Sequence, residues 1–410
     1  MRNPGIALAI GLLWLPTVFA QAPLAPHLSI SSKGTQISLA WTEAAGADGY
    51  TLVYADYPNA NQVSSLDMQA AFTAVGELPP GSAFYVGLQA HNEAGSSLMS
   101  NISFFAISDE ERPTAGDVCS ADLLDTRYAW PFQGQNGREW VITNYVDQNP
   151  GVGISDYRSE AGVSGKSYDG HNGIDIAIPT FREMDSGVNV YAIHSGLVVE
   201  VEESFPDRNT SCVSNQWNTV TVAQNDGNRV YYGHLKTNSA VVEPGQQVAK
   251  GELLGQVGSS GCSTAPHLHL ELRSGSNGVV DPFLTNQWCD APAYEPPVTV
   301  FTGVLLEAPA NQYTDALKDP PADINAIAVG RSLLPILHSA NGSIGDTVGV
   351  RVLNPNGDVH IESAITFSNA ERHGSWVFNA GIVDQAGVWT VHFLANNVLQ
   401  YALQVSASDG

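Results

Sequence analysis

The stretch "GCSTAPHLHLEL", Gly261 to Leu272, places His267 and His269 two residues apart. Residues two apart in a strand project to the same face. Both imidazoles then share a side with Glu271, while Leu268, Leu270 and Leu272 form the apolar side. Such a pair is either two satisfied strand histidines or part of a metal site. The stretch "YDGHNGIDIAIP" holds His171 and Asp175, four apart. Gly170 and Gly173 argue against a helix, and "IDIAIP" alternates like a strand ended by Pro179. His171 is therefore expected on a turn and Asp175 at a strand start, where a tight turn can bring both onto one cation. In "RVYYGHLK", His234 closes a strand after Gly233 and by itself reads as an ordinary strand-end histidine. Together, His171, Asp175 and His269 make a set of two imidazoles and one carboxylate. Zinc takes such ligands and, in catalytic sites, keeps a fourth position for water. His234 and His267 are left as non-ligand imidazoles beside the metal, suited to orienting or deprotonating a water and steadying an oxyanion.

The elements that must position these groups are strands. The chain has 410 residues with 39 Gly, 23 Pro, 43% apolar and only 14% charged residues, and it lacks long charged helical patterns. That composition predicts an all-β chain of several domains. Residues 23–108 alternate apolar and polar residues in "TQISLAWT" and "GYTLVYA". Phe84, Val86, Leu88 and Ala90 fall on one face of a further strand, and Trp41 is the expected core aromatic. This pattern resembles a fibronectin type III domain, with Phe84 where that family has tyrosine. A polar linker, "SDEERPTAGD", leads into a central segment, 118–297, closed by "CDAPAYEPPVT". Residues 298–410 are expected to form a small immunoglobulin-like β-sandwich with a hairpin tip at Asn396-Asn397. Its His338, His360, His373 and His392 show no clustered ligand pattern, and His91 and His194 read as structural.

The N-terminus, with Arg2 before the apolar run Ile6 to Leu15 and small residues at Val18 and Ala20, reads as a signal peptide over residues 1–20. No other stretch is long and apolar enough to span a bilayer. An exported protein, periplasmic or extracellular, is expected. The formal net charge of −24 should repel nucleic acid and anionic membrane. Four cysteines in an exported chain suggest disulfides. The favoured pairs are Cys212–Cys262 and Cys119–Cys289, the second stapling the ends of one domain. The absence of CxxC spacing argues against a cysteine zinc site.

"HNGID", "YYGHL" and "GSSGCSTAPHLHLEL", in that order, resemble the LytM or lysostaphin-type zinc metallopeptidases. The turn pattern "VEPGQQVAKGELLGQVGSSG" resembles the duplicated hybrid motif of that fold. The resemblance covers roughly Asp169 to Leu284. It implies a central antiparallel β-sandwich peptidase domain, flanked here by two small immunoglobulin-like sandwiches. It implies one zinc ion per chain on His171, Asp175 and His269, with His234 and His267 flanking the activated water, one as general base and the other on the tetrahedral intermediate. Which does which stays open. The implied activity is an exported zinc metalloendopeptidase acting on peptidoglycan stem or cross-link peptides, working as a monomer. Two alternatives remain: a secreted endopeptidase of glycine-rich matrix protein, and a non-catalytic activator of wall hydrolases. The loops around Arg182, Glu183 and Asp185, in "EESFPDRNTSCVSNQ", and before His171 depart from the simplest family pattern and should wall the groove.

Overall fold

The computed structural model describes residues 22–33, 35–57, 62–68, 72–79, 82–107, 127–159, 165–289, 291–308 and 318–409. The expected signal peptide, 1–20, lies outside the described residues. The described chain is nearly all β, as its composition implies, with a single short helix, Phe181–Ser186. No helix among the described residues is long and apolar enough to cross a membrane. The three largest hydrophobic clusters among the described residues follow the sequence order. The first gathers Trp41, Tyr50, Val86, Leu88 and Ala90. The second draws on residues between Tyr128 and Trp288. The third centres on Trp389 and Phe393.

The central core is covered by an antiparallel sheet. Its strand order is Gln247–Val248, Gly196–Glu202, Thr219–Ala223, Arg229–Gly233, His267–Arg273, Ile174–Ala177 and Val141–Asn144. Alternation explains its inner face: Val220, Val222, Val230, Tyr232, Leu268, Leu270 and Leu272 are all essentially buried. The expected Cys212–Cys262 disulfide is formed and ties strand Ser211–Cys212 to strand Cys262–Ser263 just ahead of the histidine strand. Cys289 is also disulfide-bonded, and Cys119, its expected partner, lies outside the described residues.

The two flanking β-units are not independent of each other, which the linear pattern did not suggest. Strand Ile102–Ala106 of the first pairs with Val398–Ser408 of the last through Ser103↔Tyr401 and Ile102↔Ala402. One continuous sheet therefore runs from Val359–Thr366 to Val63–Met68. The pairing satisfies two strand edges that would otherwise stay open. Asn396 and Asn397, at φ 47° and 62°, form the expected hairpin tip between Gly387–Ala395 and Val398–Ser408. Their positive φ suits the primed turns that match strand twist.

His338 is fully buried in strand Ser332–Gly342. Its Nδ1 lies 2.9 Å from Ser375 Oγ, and its Nε2 has no hydrogen-bond partner. Burial, helped by the neighbouring His373, pushes its pKa down to about 3. The unfolded chain takes up that proton near pH ~6.5. The neutral ring's contribution is thus whole above that value and is lost as pH falls toward the folded pKa. Going from pH 7 to pH 5 is expected to remove ~2 kcal/mol of stability through this one group. Denaturant unfolding of wild type and His338→Leu at both pH values checks this: an equal acid loss in the two proteins would refute it.

Candidate metal centre

The site begins as a row across four neighbouring strands. Asp175 pairs directly with His269 on one side and with Asn144 on the other. His269 in turn pairs with Gly233, the residue before His234. His171 enters from the turn ahead of the Asp175 strand, as its flanking glycines suggested. Three ligand-type atoms from His171, Asp175 and His269 all lie within 4.8 Å of one another, and the three residues are buried. Asp175 Oδ1 is 3.1 Å from His171 Nε2 and 2.9 Å from His269 Nδ1. The two histidine nitrogens are 3.2 Å apart.

Each of these imidazoles has its other nitrogen committed. His171 Nδ1 donates to the Tyr145 carbonyl at 2.8 Å. His269 Nε2 donates to Glu271 Oε2 at 3.0 Å, and Glu271 is also held by Arg273. Anchoring the outer nitrogen sets the tautomer and ring orientation so that the inner nitrogen can serve a metal. Two imidazole nitrogens and one carboxylate oxygen converging on a buried point is a donor set that fits zinc. From sequence, Glu271 could equally have been a solvated side chain; here it is the acceptor that orients His269.

His234 and His267 stand beside this set. Their rings are 4.5 Å apart, and His267 Nε2 is 3.6 Å from Asp175 Oδ1. His234 Nδ1 donates to the Ser260 carbonyl at 2.6 Å, and His267 Nδ1 to the Ala265 carbonyl at 2.8 Å. That leaves Nε2 of each as the free acceptor. Burial, followed by the neighbouring histidines, holds the His234 pKa well below the usual range. Burial lowers that of His267 as well, against the pull of Asp175. Both rings are therefore neutral at pH 7 and able to take a proton. Asp175, despite burial, is held well below the usual carboxylate range by the histidines around it, His267, His171 and His269. His234 has φ 59°, left-handed backbone that a non-glycine residue adopts at a cost. That turn swings its ring off the strand toward the site.

Some contributors carried no signal in the sequence. Trp217, from the inserted loop, packs its ring 4.8 Å from His234 and 5.4 Å from His269. Asn144 donates from Nδ2 to Asp175 Oδ2 at 2.9 Å. An open groove of about 360 Å³ runs past Trp217, Tyr231 and Glu271, walled by Glu200, Glu202 and Phe205. The other histidines lie elsewhere: His194 bonds the Ser195 carbonyl and packs on Tyr128.

Residues 169–282 match the model of Peptidase family M23. This segment is an M23 domain of the LytM and lysostaphin type. Over 156 residues the chain is 32% identical to lysostaphin of Staphylococcus simulans, covering 37% of this chain and 27% of that protein. It is 30% identical over 154 residues to glycyl-glycine endopeptidase ALE-1 of Staphylococcus capitis, covering 37% and 36%. It is 33% identical over 102 residues to peptidoglycan DD-endopeptidase ShyA of Vibrio cholerae, covering 25% and 20%. The chain thus aligns with about a third or less of the length of these relatives.

Gly173 gives the site a direct test. A Cβ there would sit 2.6 Å from His269 Nε2 and 2.9 Å from the Leu270 carbonyl. Gly170, at φ +76°, has open space around the same position. Gly173→Ala is expected to weaken metal affinity by about 10-fold or more, the scale of disturbing a ligand's support. Gly170→Ala should cost ~1 kcal/mol of stability and leave affinity unchanged. Chelator-competition titrations of both variants decide it, and equal affinities would contradict the geometry.

Proposed function

We propose that this chain is an exported zinc-dependent endopeptidase that hydrolyses peptide bonds in peptidoglycan stem or cross-link peptides. The observation that carries this reading is the clustering of His171, Asp175 and His269 with two neutral imidazoles, His234 and His267, whose Nε2 atoms are free beside them. The M23 match and the likeness to a glycyl-glycine endopeptidase and a peptidoglycan DD-endopeptidase support the substrate class.

In this reading His171, Asp175 and His269 hold one zinc ion. Bound there, the metal would polarise the scissile carbonyl and acidify a water molecule. The chain's own part is then to move protons and place the substrate. His234 or His267 accepts a proton at Nε2, and its Nδ1–H bond to a backbone carbonyl keeps that nitrogen aimed and steadies the charge gained. The partner imidazole, whose Nδ1–H is committed to a backbone carbonyl, donates to the oxygen that develops negative charge only once it too has gained a proton at Nε2. The groove past Trp217 and Tyr231 receives an extended peptide, with the flanking β-units carrying the domain to the wall. The protein is taken to act as a monomer outside the cytoplasm, with residues 1–20 as its export signal.

His234→Ala and His267→Ala are each expected to lower kcat by about 10²–10⁴-fold, the usual weight of a positioned acid or base. Zinc content should stay near one per chain in both, and His194→Ala should behave as wild type. Turnover of a glycyl-glycine peptide alongside metal analysis tests this, and loss of zinc in both variants would reassign the two residues as ligands.

Purified peptidoglycan and an elastin-type protein, incubated with the zinc-loaded chain and analysed by mass spectrometry, separate the substrate classes. New muropeptide ends are expected. Cleavage of the matrix protein alone would move the substrate to glycine-rich protein. No cleavage of either would leave a non-catalytic wall factor.

A further inference from the structure

The carboxylate of the metal cluster is tied, through Asn144, to Arg372 of the C-terminal β-unit, about 90 residues beyond the M23 segment. Asn144 Nδ2 donates to Asp175 Oδ2 at 2.9 Å, and Asn144 Oδ1 accepts from Arg372 Nη1 at 3.0 Å. The same guanidinium nitrogen also donates to the Thr143 carbonyl. Arg372 lies on strand Glu371–Val377, whereas Asn144 ends the edge strand Val141–Asn144 of the central sheet.

The chemistry of this chain of bonds is directional. An amide side chain can present either its oxygen or its NH₂, but a guanidinium only donates. Arg372 therefore obliges Asn144 to turn its oxygen outward. The NH₂ is then forced toward Asp175, where it occupies Oδ2. Asp175 Oδ1 is left for His171 and His269, at 3.1 Å and 2.9 Å. Without an obligate donor at Asn144 Oδ1, the amide could rotate and set its oxygen against the carboxylate, a repulsive contact in a buried site.

The docking that delivers Arg372 is built from several independent contacts. Val141 and Ala177, on the two strands that carry Asn144 and Asp175, share a small buried cluster with Phe301 and Ala340 of the C-terminal unit. Thr299 Oγ1 donates to the Gly137 carbonyl at 2.6 Å, and Asn341 Nδ2 to Asn136 Oδ1 at 3.1 Å. Arg182 pairs with Asp323 at 2.9 Å, and the Phe181 N–H donates to the Lys318 carbonyl at 2.8 Å.

We infer that Arg372 is a positioning residue for the metal centre: the C-terminal β-unit, through Arg372 and Asn144, selects which oxygen of Asp175 faces the metal. This rests on the zinc reading above. It makes the C-terminal unit a part of the site's construction as well as a flanking module.

The test uses the full chain and reads zinc affinity by chelator competition and the visible spectrum of the cobalt-substituted protein, with circular dichroism confirming the fold. Arg372→Met and Arg372→Gln are expected to bind zinc about 10-fold more weakly, at the lower end for loss of a ligand's hydrogen-bonded support, with an altered cobalt spectrum. Arg372→Lys, again donor-only, should stay close to wild type. Glutamine matches the polarity of the site but can offer either end of its amide, so a purely space-filling role would not rank lysine above it. Asn341→Ala loosens the same interface away from Asn144 and should leave the affinity unchanged. Adding Arg372→Met to Asn144→Ala should cost nothing further, because the two act in series.

Wild-type affinity and spectrum in the Gln variant would overturn the inference, as would a Lys variant as weak as Gln. Should the Met variant fail to fold, the Lys and Gln pair still decides. A wild-type chain that binds no zinc would sink the functional reading and this one with it. A chain that binds zinc with the expected Arg372 dependence but cleaves nothing would keep this inference and lose the endopeptidase reading.

Discussion

The cross-strand register that sets Asp175 opposite His269 is the constraint on which the rest of the site depends. In an antiparallel ladder a shift of one residue would turn Asp175 into the apolar layer and expose Ile174 or Ile176 in its place. The register is held because Leu268, Leu270, Ile174 and Ile176 must all stay in the core. Burial of the leucines and isoleucines thus fixes the face on which the carboxylate and imidazole lie, and the Asp175–His269 bond favours this register over one shifted by two residues. The same row extends to Asn144 on one side and Gly233 on the other, so four strands deliver neighbouring side chains to one place.

Burying this many ionisable groups is expensive unless each has a partner. The site meets that requirement by giving every histidine an anchored nitrogen. Tyr145, Ser260 and Ala265 supply backbone carbonyls, and Glu271 supplies a carboxylate. The result is two kinds of imidazole. His269, between Asp175 and Glu271, gains enough from those bonds to outweigh burial, and its pKa rises to about 9. His234 and His267 face carbonyls and one another, and burial keeps them neutral. The contrast between His269 and the His234–His267 pair follows from which acceptor each ring meets.

The flanking β-units add a second level of organisation. They share one continuous sheet, and the C-terminal unit also packs on the edge of the central sheet. Most of the contacts at that edge fall on the strands that hold Asn144 and Asp175, or on the loops and helix beside them. Packing of the C-terminal unit and the geometry of the His171–Asp175–His269 cluster therefore involve the same few residues.

Much of this was legible in the residues themselves. The two-residue spacing of His267 and His269 put both rings on one face because strand geometry admits nothing else, and the leucines between them named the opposite face. The glycines around His171 announced a turn, and alternation in "IDIAIP" announced the strand carrying Asp175. The Cys212–Cys262 pair and the Asn396-Asn397 hairpin were also readable, since each depends on local chemistry or on a short list of options. Tertiary structure alone decided the partners. Nothing near Trp217, Asn144 or Arg372 in the chain marks them, because their contacts join segments up to 229 residues apart. Glu271 meets His269 and Arg273 two residues away on the same face of its own strand, so the pattern placed the three together but left open whether Glu271 was bound or solvated. Local pattern specifies faces, turns and candidate ligands; which acceptor each polar atom finds is set by how the strands and β-units pack.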